Sequence, residues 1–177
     1  YFDIEKLTKN HLNFGAKVFT LGGDHSVTFP IIKAYNEKHS KLDILHIDAH
    51  SDLYDQFEGD KYSHACPFAR IMENGFAVKL VQVGIRTLNT HQAEQADKFN
   101  VEIHHMKDLD LSLIPKFKNP LYISLDIDAF DPAYAPGVSH HEPGGLTSRQ
   151  VINLIQSIDT EIIGADIVEY NPNRDFQ

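Results

Sequence analysis

Leu42-Asp43-Ile44-Leu45-His46-Ile47 runs directly into Asp48-Ala49-His50-Ser51-Asp52, and this junction constrains the fold more than any other stretch of the chain. A short run rich in branched apolar residues reads as a buried strand. The residues after it set two carboxylates and an imidazole at alternate positions. Side chains two apart in extended backbone point the same way, so Asp48, His50 and Asp52 are expected to aim into one small volume. Groups of that kind repel one another, or stay badly solvated, unless a cation holds them. Taken alone, the stretch could also be a polar loop after a strand.

The rest of the chain repeats the strand–loop–helix alternation. Residues 16–21, 78–85, 101–104, 121–125 and 161–168 read as strands, and 27–38, 63–74, 90–99 and 149–158 as helices. Residues 1–14 read as an amphipathic helix with Phe2, Leu7, Leu12 and Phe14 as its apolar members, ended by Gly15. The pattern predicts an α/β fold: three α-β-α layers around a mainly parallel sheet, in one domain over 1–177. Net charge is 16 − 25 = −9 with histidine neutral, which argues against nucleic acid or an anionic membrane as partner and suits a cationic substrate. No apolar run approaches the ~20 residues of a membrane helix. Cys66 is the single cysteine, so no internal disulfide framework exists; this fits a reducing compartment, and a cytoplasmic location is expected.

Polar groups recur after the carboxyl ends of four strands: His25 after the Gly22-Gly23-Asp24 turn, the Asp48–His50–Asp52 set, Asp126 with Asp128, and Glu169. In open α/β sheets that edge is where ligands bind. Four aspartates and two histidines suit Mn²⁺, with Fe²⁺, Co²⁺, Ni²⁺ and Zn²⁺ also compatible. Six side chains exceed what one ion takes from a protein that must keep a position open. Two ions sharing carboxylates use them all, and such a pair can activate water as a nucleophile. Four carboxylates also balance two divalent cations.

Gly22-Gly23-Asp24-His25-Ser26, Asp48-Ala49-His50-Ser51-Asp52 and Ser124-Leu125-Asp126-Ile127-Asp128-Ala129-Phe130-Asp131-Pro132 resemble the three signature blocks of the ureohydrolases. That family includes arginase, agmatinase, guanidinobutyrase and formiminoglutamase, and shares its fold with histone-deacetylase-like hydrolases. The resemblance implies two Mn²⁺ ions per chain, one on His25, Asp48, Asp52 and Asp126, the other on Asp48, His50, Asp126 and Asp128. It implies hydrolysis of a small cationic guanidino substrate to urea and an amine. Glu169 matches the family's guanidinium-pairing glutamate, and a carboxylate can hold that planar fork through two parallel hydrogen bonds. His64 falls where the family keeps a histidine that passes a proton to the leaving amine, although Ala65 stands where many relatives have glycine.

Leu53-Tyr54 after Asp52 is more like agmatinases than arginases, which tilts the expectation toward agmatine, cleaved to putrescine in polyamine biosynthesis. Arginine, guanidinobutyrate and formiminoglutamate are the alternatives within the family. A single-zinc amide hydrolase and an inactive metal-binding fragment are the alternatives outside its chemistry. Gly137-Val138-Ser139-His140-His141-Glu142 departs from the Gly-Thr-Gly-Thr-Pro of many relatives, leaving open whether His140, His141 and Glu142 touch substrate. His46 reads as a packed or supporting histidine, Cys66 as a packed thiol, Asp24 as a turn former, and His104 and His105 as surface residues. The resemblance further implies that the chain lacks the family's N-terminal strand and closing helix, and that the full-length protein is a homo-oligomer.

Overall fold

A computed structural model of the chain describes residues 1–175. Its elements in order are α1 (Phe2–Asn13), β1 (Val18–Leu21), α2 (Thr28–Lys38), β2 (Asp43–Ile47), α3 (Pro67–Glu73) and β3 (Lys79–Ile85). They continue with α4 (Thr90–Phe99), β4 (Glu102–His105), β5 (Leu121–Asp126), α5 (Ser148–Gln156) and β6 (Ile162–Val168). The strands form one sheet in the order β1-β6-β5-β2-β3-β4, with every pairing parallel. The chain leaves β2 toward β3 and β4 on one side, and leaves β5 toward β6 on the other. The reversal between β2 and β5 is a topological switch point, where the carboxyl edge of an open sheet leaves a crevice.

Alternation along the strands sends side chains to two cores. Leu42, Ile44, Leu80 and Tyr122 pack with Leu12, Ile31, Tyr35 and Phe68 from the α1–α3 side. Leu45, Ile47, Val83 and Leu125 pack with Val151 and Leu154 of α5 and with Leu146 on the other face. The three expected layers are therefore present. Asn89 and Thr147 start α4 and α5 with capping boxes closed by Gln92 and Gln150, satisfying amides that the first helical turn leaves free.

Two expectations about helices are corrected. The third helix begins at Pro67 rather than Ser63, because Ser63–Cys66 is a turn and proline suits the first helical position. Of the four apolar residues read on α1, Leu12 alone is buried; Phe2, Leu7 and Phe14 are 87%, 59% and 90% exposed. The face of α1 turned inward carries Ile4, Thr8 and Leu12, spaced by four, with Thr8 Oγ1 donating to Ile4 O at 2.8 Å. His104 and His105 lie half-buried on edge strand β4, where His104 faces Glu102 at 3.0 Å.

Candidate metal centre

Asp48, His50 and Asp52 do converge, but not through extended backbone. β2 ends at Ile47, and the next residues bend: Asp48 Oδ1 accepts the amide of His50 at 2.6 Å. Asp52 takes φ of 50°, in the left-handed region that an aspartate tolerates better than most residues. The same device recurs after β5, where Asp126 Oδ1 accepts the amide of Asp128 at 2.8 Å and starts a short 3-10 turn. Asp24 caps a third such turn over His25–Val27 by accepting from Ser26 N, the turn-forming role expected of it. Gly84, at φ 97°, sits in the β3 irregularity between Val83 and Ile85; a Cβ there would stand 3.0 Å from Asp48 O.

His25, Asp48, Asp52, Asp126 and Asp128 are all nearly or wholly buried, while His50 keeps 25% of its side chain exposed. His25 Nδ1 lies 3.0 Å from Asp52 Oδ2, 3.2 Å from Asp48 Oδ2 and 3.2 Å from Asp126 Oδ2. His50 Nδ1 lies 3.0 Å from Asp128 Oδ2 and 3.5 Å from Asp48 Oδ1. The two oxygens of Asp48 thus face different imidazoles. Ligand atoms of Asp48, His50 and Asp128 fall within 4.8 Å of one another, as do those of His25, His46 and Asp48.

Hydrogen bonds fix which atom of His25 is free. Ser124 Oγ donates to Asp166 Oδ1 at 2.7 Å, so it must accept from His25 Nε2, 2.9 Å away. Nδ1 is then the nitrogen turned toward the carboxylates, and it is buried without a hydrogen-bond partner. No single N–H direction serves three oxygens at once, whereas a cation among them engages all of them and the nitrogen too. The donor set therefore fits a metal ion.

The electrostatics agree. Burial opposes charge on His25, yet Asp126, Asp48 and Asp52 together hold its pKa well above the ordinary imidazole value. His50 is likewise pushed up to about 12, with Asp128 and Asp48 outweighing burial. Burial and the neighbouring Asp48 raise Asp126 far above the usual carboxylate range and bring Asp128 up to about 7. Asp48 itself is held well below that range, burial notwithstanding, by His46 and by its bonds to His25 and His50. Carboxylates crowded this closely need protons or cations between them.

Around this cluster opens a cavity of about 250 Å³, onto which Asp52, Asp126, Asp128, His64, His140 and Glu169 also face. Glu169 has φ of 65° and is drawn back onto the first turn, its Oε1 accepting from His25 N at 2.9 Å and its amide donating to Gly23 O at 2.8 Å. His64 stands edge-on to Phe57 and stacks on His140 with centroids 6.3 Å apart. Of the residues left open by sequence, His140 thus reaches the cavity and Glu142 Oε1 lies 3.5 Å from His50 Nε2. His141 is turned to Pro136 O.

Four residues at the centre carried no expectation: Ser124, Asp166, Gln82 and Arg86. Asp166 is fully buried and accepts from Thr28, Tyr122 and Ser124. Arg86 donates to the carbonyls of Asp128 at 2.7 Å and Glu142 at 2.6 Å, tying the loop after β5 to the loop bearing His140. A polar residue inside an otherwise apolar strand was the available signal for the first three.

A family model described as Arginase family matches residues 2–177. A mitochondrial arginase of Medicago truncatula is 52% identical over 163 residues, covering 88% of this chain and 48% of that protein. An N(1)-aminopropylagmatine ureohydrolase of Thermus thermophilus is 42% identical over 174 residues, covering 94% and 59%. The solved arginase from Medicago truncatula superposes with a TM-score of 0.94 at 48% identity, over 98% of this chain and 57% of that one. The chain thus spans about half the length of the curated plant relative. These relatives also correct the cytoplasmic expectation. The Medicago protein is named as mitochondrial and one from Arabidopsis thaliana as chloroplastic/mitochondrial, and a lone cysteine does not distinguish such compartments from the cytoplasm.

Proposed function

The chain belongs to the arginase family, and from that premise we propose that the full-length protein hydrolyses a guanidino compound to urea and an amine. Two divalent cations, manganese by preference, would supply an activated water at neutral pH and balance the buried carboxylates. His25, Asp48, Asp52 and Asp126 would hold one ion, and Asp48, His50, Asp126 and Asp128 the other. The observation that carries this reading is His25 Nδ1, buried and unbonded among three carboxylates.

Glu169 would pair the guanidinium, which places the electrophilic carbon over the cluster and draws the cation into the cavity. His64, half-buried on the cavity wall, would give a proton to the departing amine nitrogen.

Arginine is the substrate that the plant relatives' names support. A decarboxylated guanidinoalkane such as agmatine is the second reading. It is supported by Tyr54 on the cavity wall and by a described lining that offers four carboxylates and neither lysine nor arginine for a substrate carboxylate.

The test is a urea-release screen of the full-length, manganese-loaded protein on arginine, agmatine and guanidinobutyrate, with formamide release scored for formiminoglutamate. Asp126→Ala should remove metal and activity together. Glu169→Ala should keep both ions and lower kcat/KM by at least about 100-fold, the equivalent of two charge-assisted hydrogen bonds. Full activity of Glu169→Ala on every substrate would refute the pairing role.

A further inference from the structure

His46 is fully buried in the middle of the sheet, stacked on Phe68 with ring centroids 3.9 Å apart, and the proposed reaction gives it no part. One ring nitrogen, Nε2, lies 2.7 Å from Asp48 Oδ2. The other, Nδ1, lies 2.9 Å from Gln82 Nε2. Gln82 is its register partner on β3, and the same amide nitrogen is 2.6 Å from Ser51 O.

These contacts decide the protonation of the ring. Ser51 O can only accept, so the Gln82 nitrogen must face it, and the second hydrogen of that amide points at His46 Nδ1. Nδ1 is therefore the acceptor, and the ring proton sits on Nε2, directed at Asp48. Neither nitrogen keeps a free lone pair, so His46 cannot coordinate an ion although it lies close enough to His25 and Asp48 to resemble a ligand.

We infer that His46 is a positioning residue for the metal centre: a neutral donor, oriented by Gln82 and Ser51, that fixes the rotation of the Asp48 carboxylate. This rests on the two-metal reading given above. Asp48 turns Oδ2 toward His25 and Oδ1 toward His50, so its rotation sets whether one carboxylate can serve both imidazole-bearing halves of the cluster. The amide of His50 holds Oδ1 and His46 holds Oδ2. With the His46 clamp gone, the carboxylate is free to turn while the site is empty and an ion must draw it back, so binding weakens although the coordinating atoms stay the same. A donor that orients a coordinating carboxylate in this way influences ion affinity without touching the ion.

Three variants of the full-length protein test this, with Mn²⁺ as probe and free ion followed by electron paramagnetic resonance. His46→Phe keeps the stack on Phe68 and removes the donor. It should weaken Mn²⁺ binding by about 10–100-fold while two ions still bind at saturation. The visible spectrum of the Co²⁺-loaded variant should match that of the wild type, because the coordinating atoms are unchanged. His46→Gln, whose amide nitrogen reaches the place of Nε2, should restore most of the affinity. Gln82→Leu should weaken binding in the same direction by freeing the ring tautomer, and with His46→Gln it decides the matter should His46→Phe not fold.

A drop to one ion per chain, or a changed Co²⁺ spectrum, would make His46 a ligand and overturn the inference. Unchanged Mn²⁺ affinity in both His46→Phe and Gln82→Leu would overturn it as well, while leaving the two-metal reading intact. A wild-type protein that takes up no Mn²⁺ would remove that reading, and this inference with it.

Discussion

Replacing Ser124 by alanine removes a single oxygen, and the structure sets what that should cost. His25 Nε2 loses its hydrogen-bond partner at a site with no access to water. A buried donor left unpaired costs about 1–3 kcal/mol. Asp166 loses one of three donors but keeps Thr28 Oγ1 and Tyr122 OH, each at 2.9 Å, so its share is about 1 kcal/mol. The sum, about 2–4 kcal/mol, corresponds to a fall in melting temperature of about 5–15 °C for a domain of this size. The melt belongs in chelator, so that ion binding does not add to apparent stability. Tyr122→Phe is the control: it removes one donor to Asp166, leaves His25 untouched, and should cost about 1 kcal/mol. Without Ser124 the His25 ring is also free to turn or change tautomer, and Mn²⁺ affinity should fall about 10–100-fold in Ser124→Ala and hardly at all in Tyr122→Phe. If Ser124→Ala melted with the wild type and bound Mn²⁺ as tightly, the idea that this hydroxyl commits Nδ1 to the metal centre would be wrong.

Mn²⁺ uptake should release protons and tighten as pH rises, because the raised pKa values of His25, His50, Asp126 and Asp128 mean that protons compete for the same atoms. A pH-indicator titration should show the affinity still climbing above pH 7.5, where an ordinary imidazole has finished titrating; a plateau there would contradict the crowding. Burial pushes the Cys66 thiol up to about 11, so its thiolate fraction at pH 8 is about one in a thousand. Peptide mapping should find Cys66 unmodified by an aromatic disulfide in native protein and modified after denaturation. Arg86→Ala removes the donors that tie the carbonyls of Asp128 and Glu142 together, and should cost at least about 2 kcal/mol and speed hydrogen exchange around residues 128–130 and 142.

The six candidate ligands were legible because their chemistry is local. Buried apolar runs ending in aspartate and histidine announce strands with a polar carboxyl edge, and six such groups in a small α/β chain leave little but metal binding. The α1 face was misread because Phe2 and Phe14 are apolar yet point outward, and composition does not say which side of a helix meets a neighbour. The alternate spacing in Asp48–His50–Asp52 led to the right convergence through the wrong backbone. An Asx-type bend and a left-handed Asp52 bring the groups together, and neither is written in a two-residue period.

By itself the sequence determined the order of strands and helices, the six acidic and imidazole groups, and Glu169 and His64. The elements and the six groups follow from periodicity or from a contiguous block, whereas the interest of Glu169 and His64 follows from the family resemblance. Only the tertiary structure decided that Gln82, His46, Ser124 and Asp166 form one row across β3, β2, β5 and β6, beneath the strand ends that carry the site. Those residues come from four separate strands, and parallel register is set by sheet pairing and by helices packed on both faces, not by anything adjacent in the chain. That row gives His25 its tautomer and holds the carboxylate of Asp48, which is why the candidate ligands and a supporting His46 could be named from the sequence while Gln82, Ser124 and Asp166 could not.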